Sequence, residues 1–180
     1  TKQPNTSSAA SDVYKRQILY NVPGRTSVDM QPETVLRLST HKNIVGIKEA
    51  SGNKDRSLSL MKLCSKDIKI FTGDDKTSMS DISDGFSGNI SVTANVAPLE
   101  MHQMCQSALE GDIENASKLN SNLDILHDLL FCESNPIPVK WCLHKMGLIK
   151  KGIRLPLTWM DQKFDRPLTK GLIKSGIIDE

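Results

Sequence analysis

Four short apolar stretches set the architecture of this 180-residue chain: ILYNV (18–22), NIVGIK (43–48), IKIFTG (68–73) and NISVTANV (89–96). Each has the length and the β-branched content of a buried strand. Their first residues are 25, 25 and 21 positions apart, and helix-like segments fill the intervals. Strands that alternate with helices at this spacing predict βα units and a parallel sheet.

A complete barrel of eight βα units takes about 250 residues, whereas only four units fit into residues 18–111. The pattern therefore leaves two alternatives, a small open α/β sheet or half of a barrel. After the fourth stretch the pattern is helical, which predicts a separate helical region over residues 112–180. Helices are predicted from about residue 32 and at 54–65, 76–84, 98–109, 112–131, 138–146 and 168–175.

Residues 1–17 differ from everything that follows them. They are rich in Thr, Ser, Asn and Gln and show no apolar periodicity, so we expect an unstructured leader. The segment SSAASDVYKRQ (7–17) looks like translated adapter sequence, which indicates that the leader is foreign to the rest of the chain.

Composition excludes several classes of protein. With 23 basic and 21 acidic residues, the chain lacks the basic excess of a nucleic-acid-binding protein. No apolar run is long enough for a transmembrane helix, so we expect neither a membrane span nor a secretory signal. The four histidines never occur at metal-ligand spacing and the acidic pair Asp74–Asp75 has no further ligands near it, so no metal is expected. None of the four cysteines forms a CxxC pair, so we expect reduced thiols in a cytoplasmic protein. These cysteines are Cys64, Cys105, Cys132 and Cys142.

Lys48 ends a stretch that should be apolar throughout if the strand is buried on both faces. Alternation places Ile44, Gly46 and Lys48 on one face, with Gly46 leaving space below the lysine stem. In a barrel, the C-terminal ends of the strands carry the catalytic groups. A lysine there can form a Schiff base when an apolar environment favours its neutral amine. The alternative is a structural lysine whose amine extends to solvent and pairs with a carboxylate.

Tyr20 and Arg25 belong to the first strand and the turn after it. From the neighbouring strand, the Tyr20 phenol would enter the same mouth as Lys48 and relay protons during imine chemistry. Arg25 lies in the following loop, where a guanidinium can bind a carboxylate through two parallel hydrogen bonds. The simpler interpretations are a core tyrosine with its hydroxyl at the rim and a solvated surface arginine.

Five motifs, in their order and spacing, resemble those of the dihydrodipicolinate synthase family, within the superfamily of pyruvate-dependent class I aldolases and lyases. They are YNVPGRT (20–26), GIKEASGN (46–53), TGDD (72–75), GNISVTANVAP (88–98) and ESNPIPVKW (133–141). The resemblance extends from residue 18 to about residue 178. It implies an α/β fold that is the C-terminal half of a (β/α)8 TIM barrel, with four βα units, followed by a helical C-terminal region.

The resemblance also implies roles for five residues. Lys48 would form a Schiff base with pyruvate, and Tyr20 would donate and accept protons during imine formation and cyclisation. Arg25 would hold the carboxylate of the second substrate, aspartate semialdehyde. The main chain of Ile90 would contact pyruvate, and Gly73 would line the same pocket. The family needs no metal or organic cofactor and is usually a homotetramer, a dimer of dimers.

The family pattern is incomplete in this chain. The likeness begins at the fifth strand, so the family's pyruvate-binding threonine pair and the tyrosine contributed by a neighbouring subunit are not found here. Residues 1–17 match nothing in the family, and Ser27, where many members have Gly, is expected to be neutral. We expect a cytoplasmic synthase of lysine (diaminopimelate) biosynthesis. Two alternatives stay open: a sister aldolase, such as N-acetylneuraminate lyase or a 2-keto-3-deoxy-sugar-acid aldolase, and an inactive fragment.

Overall fold

A computed structural model describes residues 15–179 of the chain. Three strands form one parallel sheet in the order β1-β2-β3, with β1 at Gln17–Asn21, β2 at Ile44–Glu49 and β3 at Lys69–Thr72. β1 therefore begins one residue inside the predicted leader; residues 1–14 of that leader lie outside the described part of the chain.

Helices connect the strands as the alternating pattern predicts. Two of them, α1 (Pro23–Thr26) and α2 (Pro32–Ser39), lie between β1 and β2; α3 (Lys54–Cys64) precedes β3, and α4 (Ser78–Ser83) follows it. Proline is pre-organised for the first helical turn and begins both α1 and α2. The segment with Arg25 was expected to be a loop, whereas the structure forms α1 there.

Four longer helices make up the rest of the chain: α5 (Pro98–Leu109), α6 (Ile113–Leu129), α7 (Ile137–Lys145) and α8 (Asp165–Lys174). Short 3₁₀ turns occur at Thr93–Asn95 and Gln162–Phe164. The bounds of α5 agree with the predicted helix, and the other three begin and end within about three residues of the predictions.

The buried apolar side chains form two clusters, one behind the sheet and one among the C-terminal helices. Helix α5 contributes to both, with Met101 and Met104 in the helical cluster and Ala108 in the cluster behind the sheet. Met79 and Cys105 contact both clusters. These shared side chains link the two clusters.

The fourth predicted strand, at residues 89–96, is wrong for most of its length. Asn89 forms an isolated parallel bridge with Thr72, and the Ile90 N–H donates to the Thr72 carbonyl at 2.9 Å. Beyond this point the Asp75 carboxylate accepts hydrogen bonds from the backbone N–H groups of Val92 and Thr93 at 2.9 and 2.8 Å. These bonds replace ladder hydrogen bonds, so the chain turns into the 3₁₀ helix instead of continuing as a strand.

Ser27 caps α1 in the left-handed conformation, with φ 57° and ψ 18°. This conformation strains residues that have a Cβ atom and suits glycine, so Ser27 is not equivalent to a glycine at this position. We expect Ser27→Gly to raise the free energy of unfolding by about 0.5–1 kcal/mol. Urea denaturation measures the difference, and Ser27→Ala, which keeps the Cβ atom, is the matched control. Equal stability of the two variants would contradict the argument.

Candidate active site

Tyr20 and Lys48 lie directly opposite each other near the C-terminal ends of β1 and β2. The Lys48 Nζ atom is 4.5 Å from the centroid of the Tyr20 ring, and Lys48 is half-buried while Tyr20 is 48% exposed. Alternation along the strands turns both side chains to the same face of the sheet. The structure thus brings together an amine and a phenol at the position where parallel α/β folds place their reactive groups.

Gly73 completes the floor under the Lys48 side chain. A Cβ atom added at Gly73 would lie 2.4 Å from Lys48 Cε and 2.8 Å from Ala50 Cβ, so only a glycine leaves room for the lysine stem. The sequence analysis assigned that space to Gly46, and this assignment is wrong. A Cβ atom at Gly46 would meet the Lys69 carbonyl at 2.8 Å and the Phe71 ring at 3.3 Å. Gly46 permits close packing of the neighbouring strand, and Gly73 makes room for the lysine.

Ile90 joins this site through the backbone. Its N–H bonds to Thr72, the residue before Gly73, and its side chain is 39% exposed beside an open apolar groove. The structure therefore places Ile90 next to the strand that carries the floor of the site.

Arg25 is the candidate that the structure does not join to the others. It is exposed on α1, immediately after β1. Within residues 15–179 its guanidinium makes no ion pair and no side-chain hydrogen bond. A free guanidinium at this edge of the sheet is available to an anionic ligand.

Sequence reasoning missed a buried polar network on the opposite face of the sheet. We call it the outer-face network and define it by Asn21, Asp29, Met30, Glu49 and Arg56. Its centre is the Glu49 carboxylate, which receives the Arg56 Nε–H at 2.7 Å. The available signal was the sequence Lys-Glu at the end of β2, since alternation turns the second charge into the layer between sheet and helices.

A second set of missed contacts, the Asp75 cluster, comprises Asp75, Asn89, Val92, Thr93 and His127. The Asp75 carboxylate is 1% exposed and also accepts a hydrogen bond from Asn89 Nδ2 at 2.9 Å. The Thr93 hydroxyl lies 2.9 Å from His127 Nδ1 on α6. Asp75 was considered only as a metal ligand, whereas its observed role is to shape the segment that contains Ile90.

His127 makes the Asp75 cluster sensitive to pH. Burial lowers the pKa of His127 below its usual value, and nearby carboxylates, Asp75 first among them, oppose this shift only in part. The unfolded chain therefore binds a proton near pH 6.5 before the folded chain does, and stability falls as the pH decreases below that value. We expect His127→Gln to reduce this slope by up to about 1.4 kcal/mol per pH unit.

Urea denaturation between pH 5 and 8 measures the slope. The control variant is His102→Gln, because His102 is exposed on α5 and should leave the pH dependence unchanged. A wild-type slope in His127→Gln would contradict the assignment.

Cys105 lines the same open apolar groove as Ile90, but it is not a candidate nucleophile. Burial raises the pKa of Cys105 to about 11, so its thiol is protonated at neutral pH and reacts poorly. All four cysteines are free.

Residues 15–179 contain neither a metal-binding cluster nor a membrane-spanning helix. No group of three or more His, Cys, Asp or Glu side chains is arranged to hold a metal ion. None of the described helices combines the length and the apolar character required to cross a bilayer.

Sequence comparisons with known proteins all point to one family. The sequence profile of the dihydrodipicolinate synthetase family matches residues 9–174, so the match begins inside the segment that was expected to lie outside the family. The 4-hydroxy-tetrahydrodipicolinate synthase of Pseudomonas putida (strain W619) is 55% identical over 162 residues, which cover 90% of this chain and 56% of the relative. The chain thus spans just over half the length of the curated relatives that it matches.

Solved structures agree with the sequence comparison. The chloride-inhibited dihydrodipicolinate synthase from Acinetobacter baumannii, complexed with pyruvate, is 47% identical with a TM-score of 0.91, covering 95% of this chain and 59% of that one. A dihydrodipicolinate synthase variant described as the first monomeric one is 36% identical with a TM-score of 0.90, covering 96% of this chain and 59% of that one.

Proposed function

Because this chain belongs to the dihydrodipicolinate synthetase family, we propose that it carries the Schiff-base site of a 4-hydroxy-tetrahydrodipicolinate synthase. The reaction condenses pyruvate with aspartate semialdehyde in lysine (diaminopimelate) biosynthesis. The observation that carries the proposal is the placement of Lys48 over the Tyr20 ring at the end of two parallel strands, with its Nζ atom 4.5 Å from the ring centroid. Pyruvate bound to a relative with a TM-score of 0.91 supports the choice of first substrate.

The proposed chemistry starts at Lys48. The neutral amine attacks the ketone carbon of pyruvate, a C–N bond forms, and the ketone oxygen leaves as water to give an imine. Tyr20 donates the proton that this water requires and takes protons back in later steps. Loss of a methyl proton gives an enamine carbon, which attacks the aldehyde carbon of the second substrate.

The remaining candidates bind and orient. Gly73 allows the Lys48 stem to pass close to the end of β3, because any side chain at position 73 would collide with that stem. The Ile90 segment is held beside Thr72 by two hydrogen bonds: the Thr72 N–H donates to the Gly88 carbonyl at 3.0 Å, and the Ile90 N–H donates to the Thr72 carbonyl at 2.9 Å. The Ile90 carbonyl and side chain are thereby available to pyruvate at the same edge of the sheet.

The test is covalent capture of pyruvate. We define an extended chain in which the N-terminal portion of the Pseudomonas putida relative precedes residues 17–180, because this chain covers only 56% of that relative. Borohydride reduces an imine to a stable amine, and mass spectrometry after proteolysis locates it. We expect the adduct, pyruvate less one water plus two hydrogens, on the peptide that contains Lys48. Capture at another lysine, or none in a folded extended chain, would exclude the proposal.

Arg25 distinguishes the synthase from a sister aldolase, because an exposed guanidinium without a protein partner fits a carboxylate of the second substrate. We expect Arg25→Ala to raise KM for aspartate semialdehyde about tenfold or more and to leave pyruvate capture nearly unchanged. Steady-state kinetics of the extended chain provide the measurement, with the exposed Arg37→Ala on α2 as the control. An unchanged KM in Arg25→Ala would favour a sister aldolase.

The proposal includes the setting of the enzyme. Residues 17–180 form the C-terminal half of a (β/α)8 barrel and its helical extension, which is supported by the parallel sheet and by the 59% coverage of solved relatives. We propose that the full-length enzyme is a homotetramer in the cytoplasm; a relative described as the first monomeric variant supports an oligomeric state for the others. Its partners are the two small-molecule substrates.

A further inference from the structure

The back of the sheet carries a polar pair beside the reactive one. Asn21 and Glu49 are direct register partners, one position after Tyr20 and Lys48. Both are buried, with exposures of 2% and 3%, and alternation turns them to the face opposite the reactive pair. Hydrogen bonds between Asn21 and Glu49 therefore also fix the backbone from which Tyr20 and Lys48 project.

The Glu49 carboxylate is fully engaged. Asn21 Nδ2 donates to both of its oxygens, at 3.2 and 3.1 Å. The Ser51 backbone N–H donates to Oε1 at 2.9 Å, and Arg56 Nε donates to Oε2 at 2.7 Å. One side chain thus connects the end of β1, the turn after β2 and the first turn of α3.

The same network reaches the segment that carries Arg25. Asp29 accepts a hydrogen bond from Asn21 Nδ2 at 2.9 Å and lies 3.3 Å from Arg56 Nη1. The Met30 N–H donates to Asn21 Oδ1 at 2.9 Å, and its carbonyl accepts from Arg56 Nη2. Residues 22–31 leave the sheet at Asn21 and return to it through Asp29 and Met30, so both ends of the Arg25 segment are held by the network.

We propose that Glu49 is a positioning residue, which holds Tyr20 opposite Lys48 and keeps the Arg25 segment against the carboxyl end of β2. The inference rests on the proposed function, because it assigns Glu49 to the geometry of that site. Glu49 contacts neither reactive side chain and acts through Asn21 and Arg56.

A purely stabilising role explains this arrangement less well. Apolar side chains of similar volume commonly stabilise a buried layer as well as an ion pair does. A carboxylate that accepts four hydrogen bonds from three donor groups fixes direction and register in addition, because each hydrogen bond restricts an angle. The network lies one residue beyond the reactive pair on both strands. Restricting the backbone at this position therefore has its largest effect on the positions of the reactive atoms.

The first test uses the chain as it is and trypsin, which cleaves after Arg25. Glu49→Gln keeps the shape of the side chain but places an amide against the Arg56 guanidinium and the Asn21 amide. We expect the initial rate of cleavage after Arg25 to rise about tenfold, since an unpaired buried donor shifts local opening by such a factor. Mass spectrometry of the peptide that begins at Thr26 gives the rate. Glu33→Gln, on the exposed surface of α2, is the matched control and should leave the rate unchanged.

The second test uses pyruvate capture in the extended chain. We expect Glu49→Gln to lower the rate constant of imine formation about tenfold to a hundredfold, as small misplacements of reacting groups do, and to change the apparent Kd for pyruvate less than twofold. Asp29→Ala, which removes only the outer and partly exposed end of the network, should speed cleavage after Arg25 and raise KM for the aldehyde. Circular dichroism establishes that each variant is folded before its kinetics are compared.

The outcomes separate this inference from the proposed function. If the wild-type extended chain captures no pyruvate while Glu49→Gln still speeds trypsin cleavage after Arg25, the proposed function fails and Glu49 remains the residue that fixes this segment. If wild type captures pyruvate and a folded Glu49→Gln matches it in both rate constant and cleavage, the positioning role is overturned. Should Glu49→Gln fail to fold, normal cleavage and normal KM in Asp29→Ala overturn it.

Discussion

Replacing Lys48 by alanine should abolish the covalent capture of pyruvate by the extended chain and lower the condensation rate by roughly 10⁴-fold or more. The effect is this large because, in the proposed mechanism, the Lys48 amine forms the covalent bond to pyruvate. The structure offers no substitute within the described strands, since Lys69, the next lysine on the sheet, enters at the opposite end of β3. Borohydride reduction followed by peptide mass spectrometry gives the capture, and initial rates give the condensation.

Tyr20→Phe should separate proton transfer from nucleophilic attack. The ring remains beside the amine, but the hydroxyl that moves protons in the proposed mechanism is lost, so we expect imine to form at a rate lower by about 10²- to 10⁴-fold. Lys69→Ala is the control for loss of a charge on the sheet and should capture pyruvate at the wild-type rate. Capture by Lys48→Ala at that same rate would refute the role of Lys48.

Gly73→Ala should lower both the stability of the chain and its rate of pyruvate capture. Its Cβ atom would lie 2.4 Å from Lys48 Cε and 2.8 Å from Ala50 Cβ, so the lysine stem must move away from its present path. Such crowding costs about 1–3 kcal/mol of stability, and a displacement of this size lowers the rate of a positioned group about 100-fold. Thermal unfolding and pyruvate capture by the extended chain measure the two effects.

Gly24→Ala is the matched control for this change. Gly24 lies on α1, and a Cβ atom there meets nothing within 4 Å, so stability and capture should both stay close to wild type. A Gly73→Ala variant that captures pyruvate at the wild-type rate would mean that the Lys48 side chain reaches the substrate by another path.

Much of this architecture follows from periodicity. The apolar stretches predict β1, β2 and β3 within one or two residues, and alternation predicts which side chains share a face of β2. The position of Lys48 beside Tyr20 follows from two strands that are parallel and adjacent, a relation typical of consecutive βα units. Local rules suffice here because each element is consistent with its own residues.

The remaining features depend on contacts that no local pattern reports. The strand expected at residues 89–96 has suitable residues, but a carboxylate 17 and 18 positions upstream takes two of its N–H groups. The space for the lysine stem was assigned to a glycine in its own strand, whereas Gly73 lies on the neighbouring connection. Both errors arise because the deciding atom lies far along the chain, and only the register of the sheet brings it close.

The Asp75 cluster makes the C-terminal helices part of the smallest unit that can work. Thr93, three residues after Ile90, is hydrogen-bonded to His127, which is encoded 34 positions later on a helix outside the sheet. A gene truncated before α6 would keep the codons for Lys48, Tyr20 and Arg25 and still lose the shape of the Ile90 segment. A shortened version of this protein therefore needs to extend through α6.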